Sequence, residues 1–215
     1  KEESILQGKN VLITAGPTFE AIDPVRFVGN HSSGKMGLAL ALDAKKQGAN
    51  VTLILGPNSL PPDQLALVEV IPVTSAQEMY DSASPRFEDQ DIVILAAAVA
   101  DYTPSTPSEE KIKKTTKEYD LQLIKTVDIA QTLGQQKTSQ FMVGFALETE
   151  NAEANAKEKL VKKNLDMIVL NSLKDPGAGF KQDTNKVTIF SSDNKRLDFQ
   201  LKSKSEVAKD IINEI

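Results

Sequence analysis

Short apolar runs that stop at glycine or proline, each followed by a segment of helical periodicity, leave this chain few ways to fold. Residues 11–15 end at Gly16-Pro17, and residues 36–47 carry a helical pattern with Gly48 placed as its stop. A second run, residues 50–55, is closed by Gly56-Pro57, and residues 68–73 form a third. Ser75-Ala76-Gln77-Glu78 then reads as a capping box opening a helix toward Phe87, and residues 91–98 as a strand apolar on both faces. Strands alternating with helices of this length demand right-handed crossovers and a mostly parallel sheet, so the spacing predicts an α/β, Rossmann-like three-layer fold.

The pattern breaks at residues 103–117, where Pro104, Pro107 and the run Glu109-Glu110-Lys111-Ile112-Lys113-Lys114 predict a mobile flap. Beyond it, residues 121–125, 141–146 and 166–170 read as further strands, with helices at 128–133 and 152–163. Residues 186–191 and 196–202, joined by Asp193-Asn194, predict a C-terminal antiparallel hairpin. Ser203-Lys204-Ser205-Glu206 is a second capping box, and Val207, Ile211 and Ile215 give the closing helix one apolar face. At 215 residues, a single domain over 1–215 is expected.

Composition narrows the chemistry. With no cysteine, a thiol nucleophile, an iron–sulfur cluster and thiolate zinc sites are excluded, and a single histidine, His31, excludes paired-histidine metal motifs. A formal charge of −5 argues against generic nucleic-acid binding, while local basic clusters at 111–117 and 157–163 suit a small anionic ligand. The longest apolar run, residues 92–100, is far short of the roughly 20 residues of a membrane span. A cytoplasmic protein that binds neither nucleic acid nor membrane is expected. The start at Lys1 suggests a segment of a longer polypeptide.

Four stretches could carry function. Gly29-Asn30-His31-Ser32-Ser33-Gly34-Lys35 follows the spacing of a phosphate-binding loop until Met36 replaces the hydroxyl residue that would hold magnesium. Ser32, Ser33, Gly34 and Gly37 still open a helix whose free N–H groups favour an anion; an ordinary serine N-cap with packing glycines explains the same residues. Residues 16–27 form an unusually long first strand-to-helix connection with several charged groups, either a site loop or a solvated loop closed by an Arg–Asp pair. Ala96-Ala97-Ala98-Val99-Ala100-Asp101-Tyr102 puts small residues and then a carboxylate at a strand end, where a flat ligand could approach the backbone. The basic residues of the 152–163 helix include Glu158 and Lys162 at i,i+4 spacing, which by itself signals only a solvated face.

Together, Ile13-Thr14-Ala15-Gly16-Pro17-Thr18, Ile22-Asp23-Pro24-Val25-Arg26, Asn30-His31-Ser32-Ser33-Gly34-Lys35-Met36-Gly37, Ala97-Ala98-Val99-Ala100-Asp101-Tyr102 and Lys111-Ile112-Lys113-Lys114 resemble the phosphopantothenoylcysteine synthetase family in order and spacing. Val143-Gly144-Phe145-Ala146 and Lys162-Lys163-Asn164-Leu165-Asp166 extend the resemblance over nearly the whole chain. It implies a ligase of coenzyme A biosynthesis that activates 4′-phosphopantothenate with CTP and magnesium to an acyl-cytidylate, then condenses it with L-cysteine. It also implies a homodimer with an interfacial substrate site and, in bacteria, fusion behind a flavin-dependent decarboxylase.

By the same resemblance, Gly16, Ser32, Ser33, Gly34 and Gly37 hold the triphosphate side, and Ala96, Ala97 and Asp101 read the cytosine. Val127, Asp128, Ile129, Ala130, Phe145, Lys159 and Lys163 complete the nucleotide pocket, although the family pattern has Asn-Pro where this chain has Thr126-Val127. Asn30 and Arg26 contact the acyl-cytidylate, and Lys111, on the flap, offsets charge at the α-phosphate. Two rivals remain: a nucleotide-binding sensor without turnover, and a nicotinamide-dependent reductase. The second lacks a carboxylate after the second strand, where Gly56-Pro57 stands, and has no Tyr-x-x-x-Lys pair.

Overall fold

The computed structural model describes residues 4–113, 118–148, 150–172 and 183–215. Strand β1 (Asn10–Ala15) leads into a small hairpin of β2 (Phe19–Ala21) and β3 (Phe27–Gly29), followed by helix α1 (Lys35–Lys46) and strand β4 (Asn50–Leu55). A short α2 (Pro62–Leu65), β5 (Glu69–Pro72), α3 (Ala76–Ala83) and β6 (Ile92–Leu95) complete the first half. Next come β7 (Tyr102–Pro104), β8 (Leu123–Lys125), α4 (Ile129–Gln136), β9 (Phe141–Glu148), α5 (Ala152–Lys162) and β10 (Met167–Ser172). The chain closes with β11 (Thr184–Asn185), β12 (Val187–Ser191), β13 (Arg196–Asp198), β14 (Lys202–Ser203) and α6 (Lys204–Asn213).

Eight strands form one sheet in the order β13-β12-β10-β9-β6-β1-β4-β5, parallel from β10 to β5 and antiparallel at β12 and β13. Alternate side chains along each strand feed two apolar layers. On one face Val11, Ile13, Leu53 and Ile94 pack with Leu40 and Ala44 of α1 and Val207 and Ile211 of α6. On the other, Leu12, Ile54, Val93 and Met142 pack with Met79 of α3, Leu133 of α4 and Leu160 of α5. The chain leaves β1 for β4 and β5, then returns to β6 on β1's other side, so the sheet's switch point lies between β1 and β6. In such sheets the crevice above the strand C-termini at that point is where ligands bind.

Several sequence expectations are corrected in detail. The strand expected at 91–98 ends at Leu95, because the alanines beyond it turn to follow the loop after β1: Ala96 N donates to Thr14 O, Ala98 N to Gly16 O and Ala100 N to Thr18 Oγ1. Residues 121–125 do contain a strand, but β8 pairs only with β7 in a two-stranded arm outside the main sheet. Its Leu123 and Ile124 are exposed, so there is no core face to draw it in. Thr103 and Pro104 belong to that arm rather than to the flap, and residues 114–117 of the flap lie outside the described residues. The hairpin's second strand stops at Asp198, since Lys202–Ser203 turns away to pair with Thr184–Asn185. The helix opened by Ser75 changes to a 3-10 turn over Ser84–Asp89, where Pro85 removes a backbone donor. Glu78 takes its bond from Thr74 N rather than closing the box on Ser75.

The N-cap of α1 is Gly34, at φ +74°, rather than a serine, while Ser32 Oγ and Ser33 Oγ accept from Gly34 N at 3.4 Å and Lys35 N at 3.5 Å just ahead of the helix. Gly37 has a packing duty, because a Cβ there would lie 2.2 Å from the Cβ of Ala15 on β1. Replacing Gly37 by alanine adds helix propensity, worth about 1 kcal/mol, but overpacks the α1–β1 contact, which costs about 1–3 kcal/mol. Chemical denaturation should therefore show a net loss of stability. An unchanged midpoint would show that α1 can shift freely away from β1.

Candidate functional site

Two adjoining cavities open above the C-terminal ends of β1, β6, β9 and β10, and they share Ala97, Ala98, Phe145 and Leu147 in their walls. The smaller, about 130 Å³, is bounded by Ser32, Ser33, Gly34 and Gly37 on one side and Ala96 and Ala97 on the other. The larger, about 970 Å³, reaches Asn30, Asp101, Val127, Asp128, Ile129, Ala130, Lys159 and Lys163. Fifteen residues from five separate stretches, all named in advance from the sequence, thus line one continuous crevice. Gly16, Arg26 and Lys111 lie outside its lining.

Close backbone approach shapes the smaller cavity. Gly16, at φ +78°, turns the chain after β1, and a Cβ on it would sit 3.3 Å from the Gly56 backbone. A Cβ on Gly34 would meet the Leu60 and Leu55 side chains at 3.2 and 3.4 Å and Gly16 Cα at 3.6 Å, so the two glycine turns lie close to each other. The first helical bond of α1 runs from Leu38 N to Gly34 O, so the N–H groups of residues 35–37 precede the helix's own bonding ladder. With the helix dipole behind them, they favour an anion.

Acidic partners hold two of the larger cavity's cations, Lys159 and Lys163, in place. Lys159 Nζ lies 2.6 Å from Glu148 Oε1, and Lys163 Nζ lies 3.0 Å from Asp128, whose carboxylate also caps α4 through Gln131 N. Burial works against ionised Glu148, but its bonds from Lys159 and Asn155 outweigh that and hold its pKa below the usual range. Asn30 donates through Nδ2 to Val99 O at 2.9 Å, pinning it beside the alanine segment. Thr126, where the family pattern has asparagine, donates through Oγ1 to Ala100 O at 2.6 Å and fixes the start of the Val127–Ala130 wall.

The long first connection is the β2–β3 hairpin, closed by stacking of Phe19 on Phe27 with ring centroids 3.8 Å apart. The Arg–Asp pair is present, but Asp23 is no surface residue: its side chain is fully buried. Asp23 accepts from Val25 N (2.8 Å), Arg26 N (2.9 Å), Arg26 Nε (2.9 Å), Arg26 Nη2 and, across the fold, Ile112 N (3.1 Å). The Arg26 guanidinium returns a bond to Ile112 O at 2.9 Å. The Arg26 pairing outweighs burial, and with the backbone donors it holds the Asp23 carboxyl far below the usual carboxylate range. Arg26 is therefore bound to the residue after Lys111.

Among the lining residues that the sequence did not assign to the site are three polar ones of the smaller cavity, Asn171, Asn185 and Lys204. Each lies more than 130 positions from the Ser32–Gly37 turn it faces, and Lys204 reads locally as nothing more than a residue inside a capping box. The preference for a cation-rich site in an acidic chain was the one available signal.

The sequence profile of the DNA/pantothenate metabolism flavoprotein C-terminal domain matches residues 6–215. A Bacillus subtilis (strain 168) protein named coenzyme A biosynthesis bifunctional protein CoaBC is 50% identical over 210 residues, covering 98% of this chain and 52% of that protein. A protein from an unknown prokaryotic organism, named cysteine/cysteine sulfinic acid decarboxylase, is 54% identical over 214 residues, covering 99% of this chain and 59% of its own length. The chain thus spans little more than half the length of these relatives. Among solved structures, the C-terminal domain of coenzyme A biosynthesis bifunctional protein CoaBC superposes with a TM-score of 0.82 at 44% identity, covering 97% of this chain and 96% of that one.

Proposed function

The chain belongs to the family of DNA/pantothenate metabolism flavoprotein C-terminal domains, and from that premise we propose that it is a CTP-dependent phosphopantothenate–cysteine ligase of coenzyme A biosynthesis. One observation carries the reading. The crevice at the switch point runs from an anion-binding helix start, past a strand end of small residues, to Asp101 and two lysines. Its ends suit a polyphosphate and a base.

In the first step the phosphopantothenate carboxylate attacks the nucleotide α-phosphate and pyrophosphate leaves. In the second the cysteine amine attacks the acyl carbon, CMP leaves and the amine gives up a proton. Neither step needs a histidine or cysteine side chain; both need placement and positive charge where negative charge gathers. Residues 32–37 supply N–H groups for the polyphosphate, Ala96, Ala97 and Asp101 border the base, and Phe145, Lys159, Lys163 and residues 127–130 close the pocket. Asn30 faces the acyl group, and Lys111 serves the α-phosphate from the flap.

The donor set suits magnesium in a limited way. Among the described residues no three His, Cys, Asp or Glu side chains gather, while Asn171 Oδ1 is buried in the small cavity's wall without a hydrogen-bond partner. That pattern fits an ion carried mainly by phosphate oxygens and water, with Asn171 holding it or its water. When bound, it would neutralise polyphosphate charge.

Exposed Val25 and Phe27 at the first hairpin, with Leu123 and Ile124 on the β7–β8 arm, support a homodimer joined near the site. The bifunctional relatives support a native fusion to a decarboxylase. A pyrophosphate-release assay with phosphopantothenate, cysteine and each of the four nucleoside triphosphates tests the proposal. CTP should give the highest kcat/KM. Binding of nucleotide without turnover would instead make the protein a sensor, and activity with ATP alone would reverse the base assignment.

A further inference from the structure

The segment that carries Asp101 to the crevice is anchored largely by side chains from elsewhere in the fold. After β6 it continues beside the loop after β1, with Ala96 N bound to Thr14 O and Ala98 N to Gly16 O. The next N–H in that series, Ala100 N, meets a hydroxyl instead: Oγ1 of the fully buried Thr18 accepts it at 2.9 Å. The carbonyl of the same peptide, Val99 O, accepts from Asn30 Nδ2 at 2.9 Å. Both polar atoms of the Val99–Ala100 peptide therefore end on side chains.

Thr126 holds the next two carbonyls. Its Oγ1 donates to Ala100 O at 2.6 Å and its backbone N to Asp101 O at 3.0 Å. Immediately beyond, the Tyr102–Lys125 pair begins the β7–β8 arm, so the same residue also fixes the point at which that arm departs. Asp101 and Thr126 both line the larger cavity. Alanine and valine side chains give the segment no polar anchor of their own. Thr18 before β2, Asn30 before α1 and Thr126 before α4 supply it, and what they place is the residue that follows, Asp101. A carboxylate selects cytosine by accepting from its N4 amino group, where uracil presents an oxygen that a carboxylate repels. That selection works only within hydrogen-bond distance, so it depends on where the Asp101 backbone is held.

We propose that Thr126 is a positioning residue for nucleobase selection: its hydroxyl, working with Thr18 on the other polar atom of Ala100, sets Asp101 where cytosine is accepted and uracil rejected. The inference rests on the nucleotide-dependent reading above and adds to it two hydroxyls that act through Asp101.

Isothermal titration with CMP and with UMP tests this on the intact chain. Thr126→Val keeps the branched shape and the backbone bond to Asp101 O and removes only the donor to Ala100 O. The preference for CMP over UMP should fall about tenfold, as loss of a constraining hydrogen bond costs, and Thr126→Ser, which restores the donor, should recover it. Thr18→Val should lower the preference in the same direction. In the ligase assay the ratio of kcat/KM for CTP over UTP should fall with it while the KM for cysteine stays level. Thr126→Ala repeats the comparison if the valine variant folds poorly. A hydroxyl that only supports the fold would lower the melting temperature and weaken both nucleotides alike, and that result overturns the proposal. So does a folded variant that keeps the parent's preference, a serine variant that does not recover it, or a parent that binds CMP and UMP equally. A parent that prefers CMP yet makes no ligase product would sink the ligase reading, and the Thr126→Val preference would still decide the positioning role.

Discussion

Lys111→Gln and Asn30→Asp should stop the proposed ligase at different points, the first before the acyl-cytidylate and the second after it. A lysine ammonium offsets the charge that gathers on the α-phosphate as pyrophosphate departs, and no glutamine amide replaces a full charge there. Loss of one such stabilising group costs roughly 10²–10³ in rate, so acyl-cytidylate formation should fall by about that factor in Lys111→Gln. Asn30 is held beside the alanine segment by its bond to Val99 O, and it lines the larger cavity. Aspartate in its place turns a donor into an anion, which repels the carbonyl oxygen as negative charge builds on it during attack by the amine. Activation is then spared relative to cysteine transfer. Quenched reactions read by mass spectrometry should show phosphopantothenoyl-CMP accumulating in Asn30→Asp and missing in Lys111→Gln. Intermediate in the lysine variant, or equal loss of both steps in both, would dissolve the division of labour.

How much of this was legible in the sequence depends on whether a signal was local. The core strands and α1 were, because apolar period, Gly48 and the turn dipeptides act within a few residues. The lining of the crevice was legible through family resemblance, whereas helical spacing said of Lys159 and Lys163 only that they share a solvated face. Their pairing with Glu148 and Asp128 comes from β9 and from the α4 cap, elements that only the tertiary fold brings together. Residues 121–125 were read as a strand, but nothing local told which partner the strand would take, since β-propensity does not say which edge a strand will meet. At the α1 turn, residue type left an anion-binding helix start and a serine cap both open; the left-handed Gly34 takes the cap position instead. Lys204 is the plainest case, a residue whose burial no local pattern could announce.

The Asp23–Arg26 pair was foreseen as a bond within a loop, and its reach to Ile112 gives it a larger consequence. One carboxylate receives both Arg26 nitrogens, two turn amides and Ile112 N, while the same guanidinium binds Ile112 O, so both backbone groups of one flap residue are held. Fixing Ile112 fixes the base from which Lys111 extends. Asp23→Asn keeps an oxygen for the turn amides but cannot accept on its NH2 edge, so the bond to Ile112 N and the ion pair are lost together. The expected result is a flap cut by trypsin at Lys111 and Lys113 at least tenfold faster, with kcat down by about 10²-fold, as misplacement of a reacting group by about 1 Å costs. The KM for CTP should change little, because the nucleotide's crevice does not include Asp23. The pH dependence follows from the sign of the shift. Asp23 is held far below the unfolded carboxylate value of about 3.9, so the clamp is fully formed above that value and is lost as pH falls toward the depressed folded one. Flap protection in the parent should therefore stay flat from pH 8 down to about 4.5, measured with proteases active across that span. A fall in protection near pH 6, or cleavage of Asp23→Asn at the parent's rate, would mean that some other contact holds the flap.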